Sequence, residues 1–90
     1  MIIRKILYHP NFIRKFKKLE RHIQIQAVKI EKLFRDNPLH PSIRFHPLKG
    51  ELKGMWSISV SLNIRIIGRR MENGDIVFLS IGKHDIYQSL

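Results

Sequence analysis

Ninety residues, 43% of them apolar, are enough for one hydrophobic core and too few for two, so the sequence reads as a single domain over residues 1–90 and not as a disordered chain. Seventeen Lys and Arg against seven Asp and Glu give a formal charge of +10 before any histidine is protonated, which points to a polyanion or an acidic protein as partner. Cysteine is absent, which excludes disulfides, cysteine nucleophiles and thiolate metal sites. The longest apolar run is Ile76–Leu79, far short of the roughly 18 residues of a membrane span, and no signal-peptide pattern is present, so the expected location is the cytoplasm.

Ile2 to Tyr8 is rich in Ile and Leu and reads as a strand in an edge or amphipathic position, because Arg4 and Lys5 break the alternation. From Pro10 the period changes to that of a helix, with Phe12, Phe16, Leu19 and Ile23 on one side and Arg14, Lys15, Lys17 and Lys18 largely on the other. A second helical stripe runs through Ile23, Ala27, Ile30 and Phe34 and must end near Asp36, since Pro38 disfavours helix at Asn37. Together they predict a helical hairpin or one bent helix. Pro38, Pro41 and Pro47 then punctuate a connector within the domain.

Arg44 to Lys49 is expected to form a short strand. Trp56, Ile58, Val60 and Leu62 alternate with Met55, Ser57, Ser59 and Ser61, which predicts a half-buried strand with a polar serine face. A tight turn at Asn63 leads to a strand over 64–70. Asn73-Gly74 supplies the two positive-φ residues of a two-residue hairpin into a last strand over 75–81. The fold class is α+β: an N-terminal strand, a two-helix hairpin, then an antiparallel sheet of about four strands carrying both helices on one face.

The basic excess is uneven, with ten Lys/Arg and two acids in residues 1–35 and seven Lys/Arg and four acids in residues 44–90. Five histidines, at positions 9, 22, 40, 46 and 84, show no HxxxH spacing, so no metal site is expected; P-loop and GxGxxG patterns are missing, so no cofactor is expected either. Metal-free RNA cleavage needs a group that takes the 2′-OH proton, cations that stabilise a pentavalent phosphorane, and an acid for the departing 5′-oxygen. Lys49, Lys53, Arg65, His84, Asp85 and Tyr87 offer those groups. Each taken alone also fits a structural part: a solvated turn for the lysines, a surface ion pair for Arg65, a cap for His84 and Tyr87.

The runs "HPLKGELKGMWSISVSLNIRIIGRR" and "NGDIVFLSIGKHDIY", with the earlier "PNFIRKFKKL", resemble the RelE/ParE superfamily of type II toxins from bacterial toxin-antitoxin systems over almost the whole chain. The resemblance implies a small basic endoribonuclease, an mRNA interferase that acts on messenger RNA, on the ribosome in many relatives, and that is neutralised by an antitoxin encoded in the adjacent reading frame. It assigns Arg65 to the scissile phosphate, Lys49 and Lys53 to the basic positions around LKG, His84 to general acid or base, and Tyr87 to base stacking or 2′-OH orientation. Asp85 orients His84 or is itself the base, with a lysine as a further choice. His46, Trp56, Arg69 and Lys83 are expected to contact RNA, His46 being equally compatible with catalysis or structure. The sequence departs from the family where aromatics flank the arginine strand: Ile64 and Gly68 stand there instead. Two other readings are a ParE-like DNA gyrase inhibitor and a non-catalytic nucleic-acid-binding module using Arg14, Lys15, Lys17, Lys18 and Arg21.

Overall fold

Proline fixes φ near the helical value and lacks the N–H that a first helical turn leaves unused, so strand gives way to helix where Pro10 stands. In the computed structural model, which describes residues 3–83 and 86, β1 (Ile6–Tyr8) is followed at once by α1 (Pro10–Lys17). His9 caps α1 by accepting the Asn11 N–H on Nδ1 at 3.0 Å. The second helical stripe is a separate helix, α2 (Arg21–Asp36), so the bent-helix alternative falls away. The break between them is held by Gln24 Nε2, which donates to the Phe16 carbonyl at 2.9 Å. Helix α2 stops at Asp36 with Asn37 extended before Pro38, as the proline requires.

A short 3₁₀ turn at Pro41–Ile43 leads to β2 (His46–Pro47), and a second at Gly50–Leu52 to β3 (Met55–Ser59); β4 (Arg65–Arg70) and β5 (Ile76–Gly82) complete the sheet. The sheet order is β1-β5-β4-β3-β2, antiparallel throughout except that β1 runs parallel to β5. The expected α+β fold is the observed one, with both helices over one face.

Besides one-residue shifts at the start of β4 and at both ends of β5, four features differ from expectation. The strand expected over 44–49 shrinks to two residues, because Pro47 cannot donate to a ladder. The strand expected through Leu62 ends at Ser59: the Val60 and Ser61 N–H groups both turn to the Ile64 carbonyl, at 2.9 and 3.2 Å, and Leu62 is left 84% exposed. At the last hairpin only Gly74 has positive φ, so the connection is a three-residue loop and not a two-residue turn. Met71 N–H closes it onto the Asp75 carbonyl at 2.7 Å, while the Asn73 side chain accepts the Asp75 N–H at 2.9 Å. The N-terminal strand is shorter than expected, over Ile6–Tyr8 only.

The core lies between the helices and one sheet face, where Phe12, Ala27, Ile30 and Phe34 meet Trp56, Ile58, Ile66 and Phe78. Trp56 is its centre, with ring centroids 5.1 Å from Phe34, 5.2 Å from Phe45 and 6.4 Å from Phe78. Trp56 and Gly68 are cross-strand partners, and a Cβ at Gly68 would meet three indole atoms at 2.5, 2.7 and 3.0 Å. The aromatic that the family resemblance leads one to expect at position 68 is thus replaced by a ring reaching over from the next strand. Gly68→Ala should cost about 1–3 kcal/mol through overpacking, read as a lower urea midpoint followed by the fluorescence of the single tryptophan.

Candidate functional site

A strand that buries alternate residues against helices presents the others on its opposite face. The cross-strand register makes that outer face explicit in three rows. His46, Ser57, Ile67 and Ser80 form the middle row; Ser59, Arg65 and Gly82 form the row nearest the β3–β4 turn; Met55, Arg69 and Val77 form the far row. The face is not simply a solvated polar surface, as the serine alternation leads one to expect. Ser57, Ser59, Ile67 and Ser80 are all buried. Part of the cover is Ile86, itself buried, whose Cγ2 would stand 2.5 Å from a Cβ at Gly82.

Arg65 is half-buried in the row beside Ile86 and donates a guanidinium hydrogen bond to the Ser59 hydroxyl across the strand pair. Next to it lies a depression of about 460 Å³ lined by Leu62, Asn63, Arg65 and Lys83. Two of the expected site residues, Arg65 and Lys83, are therefore brought together. His46 is exposed on the same face, two strands across and two residues along from Arg65, a Cα separation of about 12 Å from standard sheet spacings. Side chains from both positions can meet across one nucleotide.

Other expected residues are not gathered there. Lys49 and Lys53 flank the Gly50–Leu52 turn at the Met55 end of β3, beside Arg69, and all three are exposed. Four residues of β3 separate that end from Ser59, about 13 Å of strand, so these cations form a second group on the path of a longer chain. Trp56, expected to meet RNA, is 6% exposed in the core on the helix side; its indole fills the space that Gly68 leaves empty. His84, Asp85 and Tyr87 lie outside the described residues. Lys83 and Ile86, which bracket the first two in sequence, both belong to the outer face.

Ser59 is the contributor that the sequence conceals, since only its register opposite Arg65 distinguishes it from Ser57 and Ser61. Three histidines have local partners: His9 and His40 each accept a backbone N–H two residues on, at 3.0 and 3.1 Å, and His22 stands 3.4 Å from Glu20. No group of three His, Asp or Glu converges among the described residues.

The helical layer carries most of the remaining positive charge. Among the described residues the ion pairs are Lys5–Asp75 and His22–Glu20, so the exposed Lys17, Lys18, Arg21, Lys29 and Lys32 have no acidic partner. Between α1 and α2 an apolar groove of about 350 Å³ runs past Phe12, Ile13, Phe16 and Val28. Tyr8 closes one end; its phenol is pushed up by burial and by the adjacent Glu31 carboxylate, to which it donates a hydrogen bond.

Solved structures share this architecture. YafQ from E. coli is 20% identical, with 91% of this chain and 94% of that one covered at a TM-score of 0.76. A chain of the toxin-antitoxin complex RelBE2 from Mycobacterium tuberculosis is also 20% identical, with 92% and 100% covered at 0.75. The YoeB/ParE toxin from Agrobacterium tumefaciens is 14% identical, with 89% and 98% covered at 0.75. At such identities the likeness is one of fold, and the chain has the RelE/ParE-type toxin fold that its sequence resembles. No family model and no curated protein matches the sequence.

The Ser80 hydroxyl, fully buried on the outer face, has no hydrogen-bond partner among the described residues. Ser80→Ala should therefore leave stability unchanged or raise it by up to about 1 kcal/mol in urea denaturation, because it removes an unpaired polar group without opening a cavity of any size.

Proposed function

We propose that the chain is the toxin of a type II toxin-antitoxin system and an endoribonuclease that cleaves messenger RNA without a metal ion. The observation that carries the reading is Arg65, half-buried, fixed by Ser59 and beside a depression shared with Lys83, on a +10 protein of RelE/ParE-type fold. A guanidinium is a planar fork matched to two phosphate oxygens, and one already held in place loses little freedom when phosphate arrives.

The 2′-oxygen attacks the adjacent phosphorus as its proton passes to a base, one of His84, Asp85 or a lysine. Arg65 carries the negative charge of the pentavalent phosphorane. The bond from phosphorus to the 5′-oxygen then breaks, an acid protonates that oxygen, and a 2′,3′-cyclic phosphate and a 5′-hydroxyl result. Tyr87 stacks on a base or orients the 2′-OH. Lys49, Lys53 and Arg69, at the other end of the face, hold phosphates further along the strand, and His46 lies between the two groups.

An antitoxin fits the helical layer. The RelBE2 and DinJ-YafQ structures are toxin-antitoxin complexes, and the groove between α1 and α2 offers an apolar floor with unpaired cations on its flanks, suited to an amphipathic helix with acidic edges. The partner is the protein encoded in the adjacent reading frame.

Arg65→Ala should lower the single-turnover cleavage rate by about 10²- to 10³-fold, as removal of a transition-state donor does, while RNA affinity falls much less. Equal losses in both would make Arg65 a positioning contact only. His84→Ala should lower the rate by about 10²- to 10⁴-fold and abolish growth arrest, with circular dichroism and antitoxin binding intact. Toxicity retained in both His84→Ala and Tyr87→Ala, with unchanged message ends and inhibited gyrase supercoiling, would replace this reading with the ParE-like one.

A further inference from the structure

Beyond the end of β3 nearest Arg65, the helical layer and the sheet part over a second depression, about 200 Å³ in volume, which the reading above leaves unused. Its walls come from α2 (Gln26, Ile30), from the segment before β2 (Ser42, Arg44) and from the β3–β4 turn (Ser59 to Leu62). Among the described residues an amide, three hydroxyls and one full positive charge line it, and no acid does. The Gln26 and Arg44 side chains make no hydrogen bond or ion pair among the described residues.

Arg44 has a second peculiarity. Among the described residues it is the only one other than glycine with positive φ, at φ 53° and ψ 53°. A Cβ in that conformation crowds the neighbouring carbonyl oxygen, and glycine, which has none, would relieve it. The N–H of residue 44, which donates to the Pro41 carbonyl at 3.3 Å, would serve equally well from glycine. The strain therefore gains nothing for the backbone, and what the arginine adds is an unpartnered cation at the mouth of a polar cleft.

The two depressions are neighbours. Leu62 lines both, and the Ser59 hydroxyl that lines the second accepts the hydrogen bond from Arg65, which lines the first. A volume below the about 300 Å³ at which pockets for whole small molecules begin suits one unit of a longer chain. We infer that this cleft is a second nucleotide subsite for the RNA strand anchored at Arg65. Arg44 takes the phosphate of a neighbouring nucleotide, and Gln26, Ser42 and Ser61 meet its base edge or ribose hydroxyl. The inference rests on the ribonuclease reading of Arg65.

The test uses the full chain and a short RNA carrying a 2′-deoxy sugar at the cleaved position, which binds without being cut. Arg44→Gly should hold or raise the thermal midpoint by a few degrees, since it relieves the left-handed conformation. The same variant should bind the RNA about tenfold more weakly, with the slope of log K against log salt reduced by about 0.7, the signature of one lost phosphate contact on a single strand. Gln26→Ala should change the base preference at one position beside the cut. Parental affinity and salt slope in Arg44→Gly, with Arg65→Ala still defective in cleavage, would overturn the subsite and leave the ribonuclease reading standing. Weakened antitoxin binding with unchanged RNA binding would overturn it in favour of a protein contact. If Arg65→Ala cleaves as the parent does, Arg65 is not the anchor and the subsite falls while the ribonuclease reading stands; if the parent itself cleaves no RNA, the ribonuclease reading fails and the subsite with it.

Discussion

The Trp56 indole occupies the space in which Gly68 has no side chain, and the placement of Arg65 and Arg69 on the opposite face depends on that fit. With Trp56 opposite Gly68, Ser57 falls opposite Ile67 and Ser59 opposite Arg65. A slip of one residue would exchange the two faces of β4 and drive Arg65 among Phe34, Phe78 and the other core rings, where a guanidinium would have neither water nor partner. The packing that excludes water on one side thus fixes a cation on the other. Stability and chemistry share a register rather than a set of residues.

The period of the sequence marks out most of the elements, because helices and strands that bury one side must repeat at 3.6 or 2.0 residues. Phe12, Ala27, Ile30 and Phe34 declare the helical layer, and Pro10 and Pro38 its limits. Where the period fails, the structure shows why. Continued alternation from Ile76 and Phe78 would turn Ser80 toward the core, but the register shift opposite Ile67 and Gly68 skips Leu79, so Ser80 and Ile81 exchange sides. Ser57 and Ser59 are buried although they stand on the face turned away from the helices, which no local pattern records. Trp56 is ambiguous for a related reason: an aromatic in a basic strand suits a base-stacking platform as well as a core, and only the glycine across from it decides.

The site was legible in part. Arg65 and Lys83 can be picked out by residue type, yet their approach follows from the register of β4 on β5, which sets Arg65 opposite Gly82, and the separation of Lys49 and Lys53 from them follows from the length of β3. Ser59 and Arg44 were not legible. One is a serine among several whose value lies in its cross-strand partner, and the other an ordinary arginine whose backbone conformation only the fold imposes.

The pairing of β1 with β5 joins the earliest strand of the sequence to the latest, and β5 stands between β1 and β4. The helices emerge from synthesis well before the strands they cover, with Phe12 and Phe34 waiting for Phe78 to fill the space between them. Closure over so long a separation is slow by the loop entropy that it must overcome, and until residues 76–82 are made the sheet lacks the strand that joins β1 to β4 and the core lacks Ile76, Phe78 and Ile81. A chain built this way holds its arginines apart while it is being translated. Assembly of the outer face is among the last events in the life of the nascent protein, which leaves an interval in which a partner already present can meet the exposed helical layer first.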